Sequence, residues 1–215
     1  MNSEHIHQSQ PVLMSGARLD QAKAAMILVH GRGAGAQNIL MLAGEFGRND
    51  FAYLAPNAAA STWYPLSFLA PIPDNEPGIS SGLMKIGEVL KTIQDGGIPF
   101  EKTMLLGFSQ GACLTLEYAA RNPRRYGAVV ALSGGLIGPD DTPRDYKGSL
   151  EGTPVFLGCS DVDFHVPLAR VKESAGVMKN LGGDVTERIY PNMGHTVNTD
   201  EVAFVRDLMH NLVAE

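Results

Sequence analysis

Cysteine is scarce in this chain: Cys113 and Cys159 are the only two among 215 residues. Both fall in apolar segments expected to be core. They read as small buried side chains in a reducing compartment, not as a disulfide scaffold. No apolar run is long enough to cross a bilayer, and the polar start, Met1-Asn2-Ser3-Glu4-His5-Ile6-His7-Gln8, has no signal-peptide core. A cytoplasmic protein without stable membrane insertion is the expectation. Basic runs are also missing. With 17 Lys and Arg against 23 Asp and Glu, the net charge is -6 and the pI about 5.5. That balance argues against nucleic acid as a partner. No group of His, Cys and carboxylates has metal-ligand spacing, so neither a metal nor a cofactor is expected. Nothing in the composition sets an oligomeric state.

What the chain does have is a regular alternation of two element types. Ala25–Val29, Phe51–Ala55, Thr103–Leu106, Gly127–Leu132 and Thr153–Cys159 are short apolar runs of the kind buried on both faces of a mostly parallel sheet. Asp184–Tyr190 alternates as a further strand, and Pro11–Leu19 reads as a weak strand or hairpin. Helical spacing is found over Ile39–Phe46, Ile79–Ile93, Val166–Leu181 and Asp200–Val213. Strands alternating with helices predict a doubly wound α/β sheet. There is no internal repeat and no dividing linker. Residues 1–10 read as a frayed tail, with His5 and His7 solvated, and 11–215 as one α/β domain. Residues 56–78 have no period. They carry five prolines with Trp63, Tyr64, Phe68 and Leu69 between them, a composition that points to an ordered functional loop.

Gly107-Phe108-Ser109-Gln110-Gly111 is the most telling stretch. It has the form G-x-S-x-G, follows a strand and precedes the helical run Ala112–Ala120. A serine on such a turn is the nucleophile elbow of α/β-hydrolases. The glycines remove side chains where strand and helix pack closely. The helix aims free N–H groups and its positive dipole end at the site.

A serine hydroxyl needs a base, and the base needs an orienting carboxylate. In this fold the chain order is Ser, then Asp or Glu, then His. The sequence offers Ser109, then Asp161 or Asp163, then His195, each just after an expected strand. Open α/β sheets place their sites at those strand ends. His30-Gly31-Arg32-Gly33 follows the first apolar strand. A loop of that type supplies one oxyanion N–H and the residue after the nucleophile supplies the other, which nominates Arg32 and Gln110. A phosphate-binding role for this loop is discounted, because the P-loop ending and the full G-x-G-x-x-G spacing are missing. Trp63 and Tyr64 are expected to wall the substrate pocket. His165 follows the acid loop, and His210 is expected on an exposed helix face.

Taken together, these motifs resemble the carboxylesterase/lysophospholipase family, which includes the acyl-protein thioesterases and small bacterial esterases. The resemblance rests on His30-Gly31-Arg32-Gly33, Ser61-Thr62-Trp63-Tyr64, Gly107-Phe108-Ser109-Gln110-Gly111, Ser160-Asp161-Val162-Asp163-Phe164-His165-Val166-Pro167 and Gly194-His195. It covers residues 25 to 210. It implies an α/β-hydrolase fold, a serine hydrolase acting on small-molecule esters, with lysophospholipids and thioesters in range, and Asp163 as the triad acid. Two features depart from the thioesterase pattern. Arg32 stands where the thioesterases carry an apolar residue, and residues 137–150 are short and polar. Both favour short or medium acyl chains and the small bacterial-type esterases. The rival readings are a dienelactone-type or C–C-bond hydrolase, and a hydrolase fold that only binds.

Overall fold

Seven strands form one sheet in the computed structural model, which describes residues 5–214. The strands are β1 (Val12–Gly16), β2 (Ala24–Val29), β3 (Phe51–Pro56), β4 (Thr103–Phe108), β5 (Ala128–Leu132), β6 (Pro154–Ser160) and β7 (Asp184–Tyr190). Their order is β1-β3-β2-β4-β5-β6-β7. Only β1 is antiparallel; it pairs with β3, and all other neighbours run parallel. The helices are α1 (Ala36–Ile39), α2 (Met41–Phe46), α3 (Gly78–Asp95), α4 (Gln110–Arg121), α5 (Leu168–Asn180) and α6 (Thr199–Ala214).

The continuous apolar strands are explained by cover on both faces. In β2, Ala25, Ile27 and Val29 point into a core shared with α3, α4 and α5. Ala24, Met26 and Leu28 point into a second core capped by α1, α2 and α6. Every residue of β2 is buried as a result. The edge strand β7 alternates because it is covered less completely.

Two expectations need correction, the helix over Ile39–Phe46 and the frayed tail, and the ordered loop over 56–78 gains detail. The helix expected over Ile39–Phe46 begins earlier and is split at Leu40 into α1 and α2. Asn57 Oδ1 accepts the Ala36 N–H at 2.9 Å and fixes that early start from a loop 21 residues away. The segment 56–78 contains two 3-10 turns, Ala59–Ser61 and Ile72–Asn75. Buried Asn75 ties it down by accepting the Leu66 N–H at 2.8 Å and donating to Ser67 O at 2.8 Å. The frayed tail fails from His7 onward, while residues 1–4 lie outside the described residues. His7 is fully buried. It accepts from Ala59 N–H at 3.0 Å and donates to Trp63 O at 2.9 Å. Lys85 Nζ then holds Gln8 O and Gln10 O at 3.0 and 2.8 Å. Polar side chains anchor this stretch, so hydropathy carries no trace of it.

Candidate active site

The loops after β2, β4, β6 and β7 converge at the C-terminal edge of the sheet. The tightest of them is the turn between β4 and α4. Ser109 occupies it at φ 55°, ψ -120°, a conformation rare for a residue with a side chain. A Cβ on Gly107 would collide with the backbone of Gly111, and one on Gly111 with the carbonyls of Val29 and His30. Those two glycines let α4 begin directly against β2 and β4. The turn is pinned by Ser109 N–H donating to Leu132 O at 2.9 Å.

The structure brings Ser109, His195 and Asp163 together. His195 Nε2 lies 2.8 Å from Ser109 Oγ. Its Nδ1 lies 2.6 Å from Asp163 Oδ2. The other carboxylate oxygen, Oδ1, accepts N–H bonds from His165 at 2.8 Å and Val166 at 3.1 Å. Burial pushes the Asp163 carboxyl up, but these bonds, led by His195, outweigh it and hold Asp163 below the ordinary carboxylate range. A carboxylate is therefore available to hold Nδ1–H, leaving Nε2 to accept the serine proton.

Asp161 is excluded from that chain. Its Oδ1 accepts the Asn192 N–H at 2.8 Å, tying the acid loop to the loop that carries His195. Ser160 Oγ adds a second tie, accepting from Val162 N–H at 3.1 Å and Gly194 N–H at 3.2 Å. The sequence reading did not single out Ser160, and a buried serine at a strand end gave little reason to.

Two N–H groups are free beside the serine. Gln110 is the first residue of α4, so its N–H has no acceptor within the helix. Arg32 N–H donates to no protein group among the described residues. The loop carrying it runs close to the elbow: a Cβ on Gly31 would lie 3.3 Å from Ser109 Cβ. His30 shapes this loop. It accepts from Ala58 N–H at 3.1 Å, which leaves Nδ1–H to donate to Gly31 O at 2.8 Å. Burial lowers its pKa and keeps the ring neutral.

A cavity of about 440 Å³ opens over Ser109. That is within the range of small-molecule sites. Tyr64, Phe68, Gln110, Cys113 and Val166 form its buried lining, and Arg32, Pro65, Leu66, Ser67 and His165 its exposed rim. Tyr64 takes the place the sequence suggested, but Trp63 does not. Trp63 is fully buried, packed between His7 and His30 with ring centroids 5.1 Å from each. Its indole donates to His30 O at 2.9 Å. It is a core residue behind the oxyanion loop, correcting its assignment to the pocket wall. Gln110 links the two regions, since its side chain accepts from Trp63 N–H at 2.9 Å and donates to Tyr64 O at 2.8 Å.

Cys113 is a lining residue the sequence reading treated only as core. It sits four residues after Ser109 on α4, one turn along the same face, a spacing that could have placed it. Burial raises its thiol pKa to about 12, so it stays protonated and unreactive. Cys159 is likewise free and buried. His165 packs edge-on against His195, with centroids 4.7 Å apart. Among the described residues no group of three or more His, Cys, Asp or Glu is arranged to hold a metal ion.

Comparison with known proteins agrees with this architecture. The family model described as phospholipase/carboxylesterase matches residues 15–213. A solved phospholipase/carboxylesterase from Dyadobacter fermentans is 40% identical with a TM-score of 0.91, covering 97% of this chain and 100% of that one. Acyl-protein thioesterase 1 of Debaryomyces hansenii is 30% identical over 93% of this chain and 97% of its own. The same-named protein of Gibberella zeae is 34% identical over 52% of this chain and 50% of its own. With the family match spanning nearly the whole sequence, this chain belongs to the phospholipase/carboxylesterase family.

Proposed function

We propose that this protein hydrolyses carboxylic esters, and thioesters of similar size, through an acyl-enzyme on Ser109. The observation that carries the reading is the continuous chain Ser109 Oγ, His195, Asp163, at 2.8 and 2.6 Å. Ser109 Oγ attacks the acyl carbon while His195 Nε2 takes its proton. The negative charge that develops on the carbonyl oxygen is met by the Arg32 and Gln110 N–H groups. His195 returns the proton to the leaving oxygen or sulfur, and the alcohol or thiol departs. Water then attacks the acyl-enzyme while His195 takes its proton, His195 returns that proton to Ser109 Oγ as the acyl–oxygen bond breaks, and the carboxylic acid is released. No cofactor takes part in this sequence.

The cavity volume of about 440 Å³ supports a small-molecule ester as substrate, and the short or medium acyl chain is part of the same proposal. No described helix is long and apolar enough to cross a membrane. The free, buried cysteines support a cytoplasmic location as part of the same reading.

The test is direct. The wild type should label with a fluorophosphonate and turn over p-nitrophenyl butanoate. Ser109→Ala should lose labelling and several powers of ten in kcat. Residual activity above about a few per cent would remove Ser109 from this role. A hydrolase fold that only binds would not label at all.

A further inference from the structure

Arg32 carries two functions on one residue. Its backbone N–H is the oxyanion donor proposed above, and its side chain reaches across the cavity rim. Guanidinium Nη1 donates to Pro65 O at 2.7 Å and Nη2 to Leu66 O at 2.5 Å. These bonds use two of the five guanidinium donors and leave three. They also fix the group in place on an exposed surface, where an arginine otherwise moves freely. Among the described residues no carboxylate forms an ion pair with it.

The surroundings make this notable. The chain holds 23 acidic residues and a net charge of -6. Among the described residues no Asp or Glu lines the cavity. The titratable lining groups are Arg32, His165 and His195, with Tyr64 and Cys113 held neutral by burial. The Asp163 charge lies behind His195, its side chain fully buried. Among the described residues, then, the reaction cavity of this acidic protein is free of carboxylates and carries one fixed cation at its rim that no carboxylate pairs. A fixed guanidinium with free donors matches a carboxylate in both charge and geometry.

We propose that Arg32 is a specificity-determining residue that selects esters bearing a carboxylate. This rests on the ester hydrolysis proposed above and names its substrate class. The carboxylate sits on either the acyl or the leaving group, and the two have the same chemistry toward Arg32. The chemical step is unchanged: the substrate carboxylate is bound, not transformed.

Matched substrate pairs test this. Monoethyl glutarate and ethyl 4-carbamoylbutanoate share shape and differ in charge at the acyl end. The pair 3-carboxyphenyl acetate and 3-carbamoylphenyl acetate does the same for the leaving group. Each kcat/KM is divided by the hydroxide-catalysed rate, and the anion-to-amide ratio is read. The expected result is a ratio of about ten or more in one pair at low salt, since a hydrogen-bonded ion pair is worth about that factor. The pair that shows it identifies which end carries the charge. The ratio should fall as salt rises. The overall charge of -6 repels anions, so such a preference must arise locally.

Arg32→Met should bring the ratio to about one or below, and Arg32→Lys should retain part of it. The ratio cancels any common loss from disturbing the oxyanion loop. A wild-type ratio near one in both pairs overturns the proposal without any variant, as does a high ratio that survives in Arg32→Met. If the neutral amides are hydrolysed in a Ser109-dependent manner but no anion preference appears, only the proposal about Arg32 falls. If neither member of either pair is hydrolysed, the ester hydrolase reading falls and this proposal with it.

Discussion

Replacing Asp163 by asparagine should cost far more than removing its charge implies. Asp163 Oδ1 accepts two backbone N–H groups, from His165 and Val166. In Asp163→Asn the amide oxygen must take that position, because an NH2 group there would face two donors. The amide nitrogen is then forced opposite His195 Nδ1, where Oδ2 now stands at 2.6 Å. A donor at that site stabilises the tautomer in which Nδ1 accepts and Nε2 carries the proton. Nε2–H then points at Ser109 Oγ across 2.8 Å and has no lone pair to receive the serine proton. A wrong-tautomer triad of this kind loses about 10³–10⁴ in kcat, or about 4–5.5 kcal/mol of barrier. Asp161→Asn offers a matched control. Its side chain still presents an oxygen to the Asn192 N–H, so a loss below about threefold is expected. Steady-state hydrolysis of p-nitrophenyl butanoate by both variants, with circular dichroism to confirm folding, decides between the two aspartates. The reasoning is refuted if Asp163→Asn keeps more than about a tenth of kcat, or if Asp161→Asn is the more damaged of the two.

Much of this architecture could be read before any coordinates. The strands were legible because β2 to β6 are covered on both faces, and two-sided burial leaves an uninterrupted apolar run. The elbow was legible because steric demand there is local: two backbones approach so closely that only glycine fits at Gly107 and Gly111. The acid loop was readable as motif, but choosing Asp163 over Asp161 needed the family resemblance. The hidden features all depend on partners distant in sequence. His7 is core because it bonds to Ala59 and Trp63, more than fifty residues away. Trp63 left the expected pocket wall because His7 and His30 enclose it. Nothing near residue 63 encodes that. Arg32 shows a related limit. The loop type nominates its N–H, whereas its side chain depends on where the irregular segment 56–78 presents two carbonyls.

The remaining predictions concern stability. Trp63→Ala should destabilise the protein by about 3–5 kcal/mol in urea unfolding, the usual cost of emptying a buried tryptophan site. A change under about 1 kcal/mol would mean that the ring does not sit in a closed core. His7→Ala should cost about 1–3 kcal/mol, because it leaves the buried Trp63 O and the half-buried Ala59 N–H without their partner; an unchanged midpoint would restore the frayed-tail reading. The last prediction is a pH dependence seated in Glu201. Its Oε2 accepts the Asn198 N–H at 2.8 Å and Asn198 Oδ1 accepts the Glu201 N–H at 2.9 Å, a capping box at the start of α6. Its Oε1 is buried against Gly158 and has no hydrogen-bond partner among the described residues. Burial raises the carboxyl to about 7, against a bond from Asn198 that lowers it. Between the ordinary value near 4.5 and about 7, the folded protein keeps a proton that the unfolded chain has released. Stability from this group is therefore whole below pH 4.5, declines as pH rises through that window, and is level above it. The full decline is about 3 kcal/mol. Glu201→Gln keeps an acceptor for the Asn198 N–H and cannot ionise. Urea unfolding of both proteins at pH 5 and pH 8 should show the variant gaining about 2–3 kcal/mol on the wild type between the two conditions. Equal pH dependence in the two proteins would mean that Glu201 ionises in the folded state as readily as in the unfolded one, and the buried, unpaired Oε1 would have to be reconsidered.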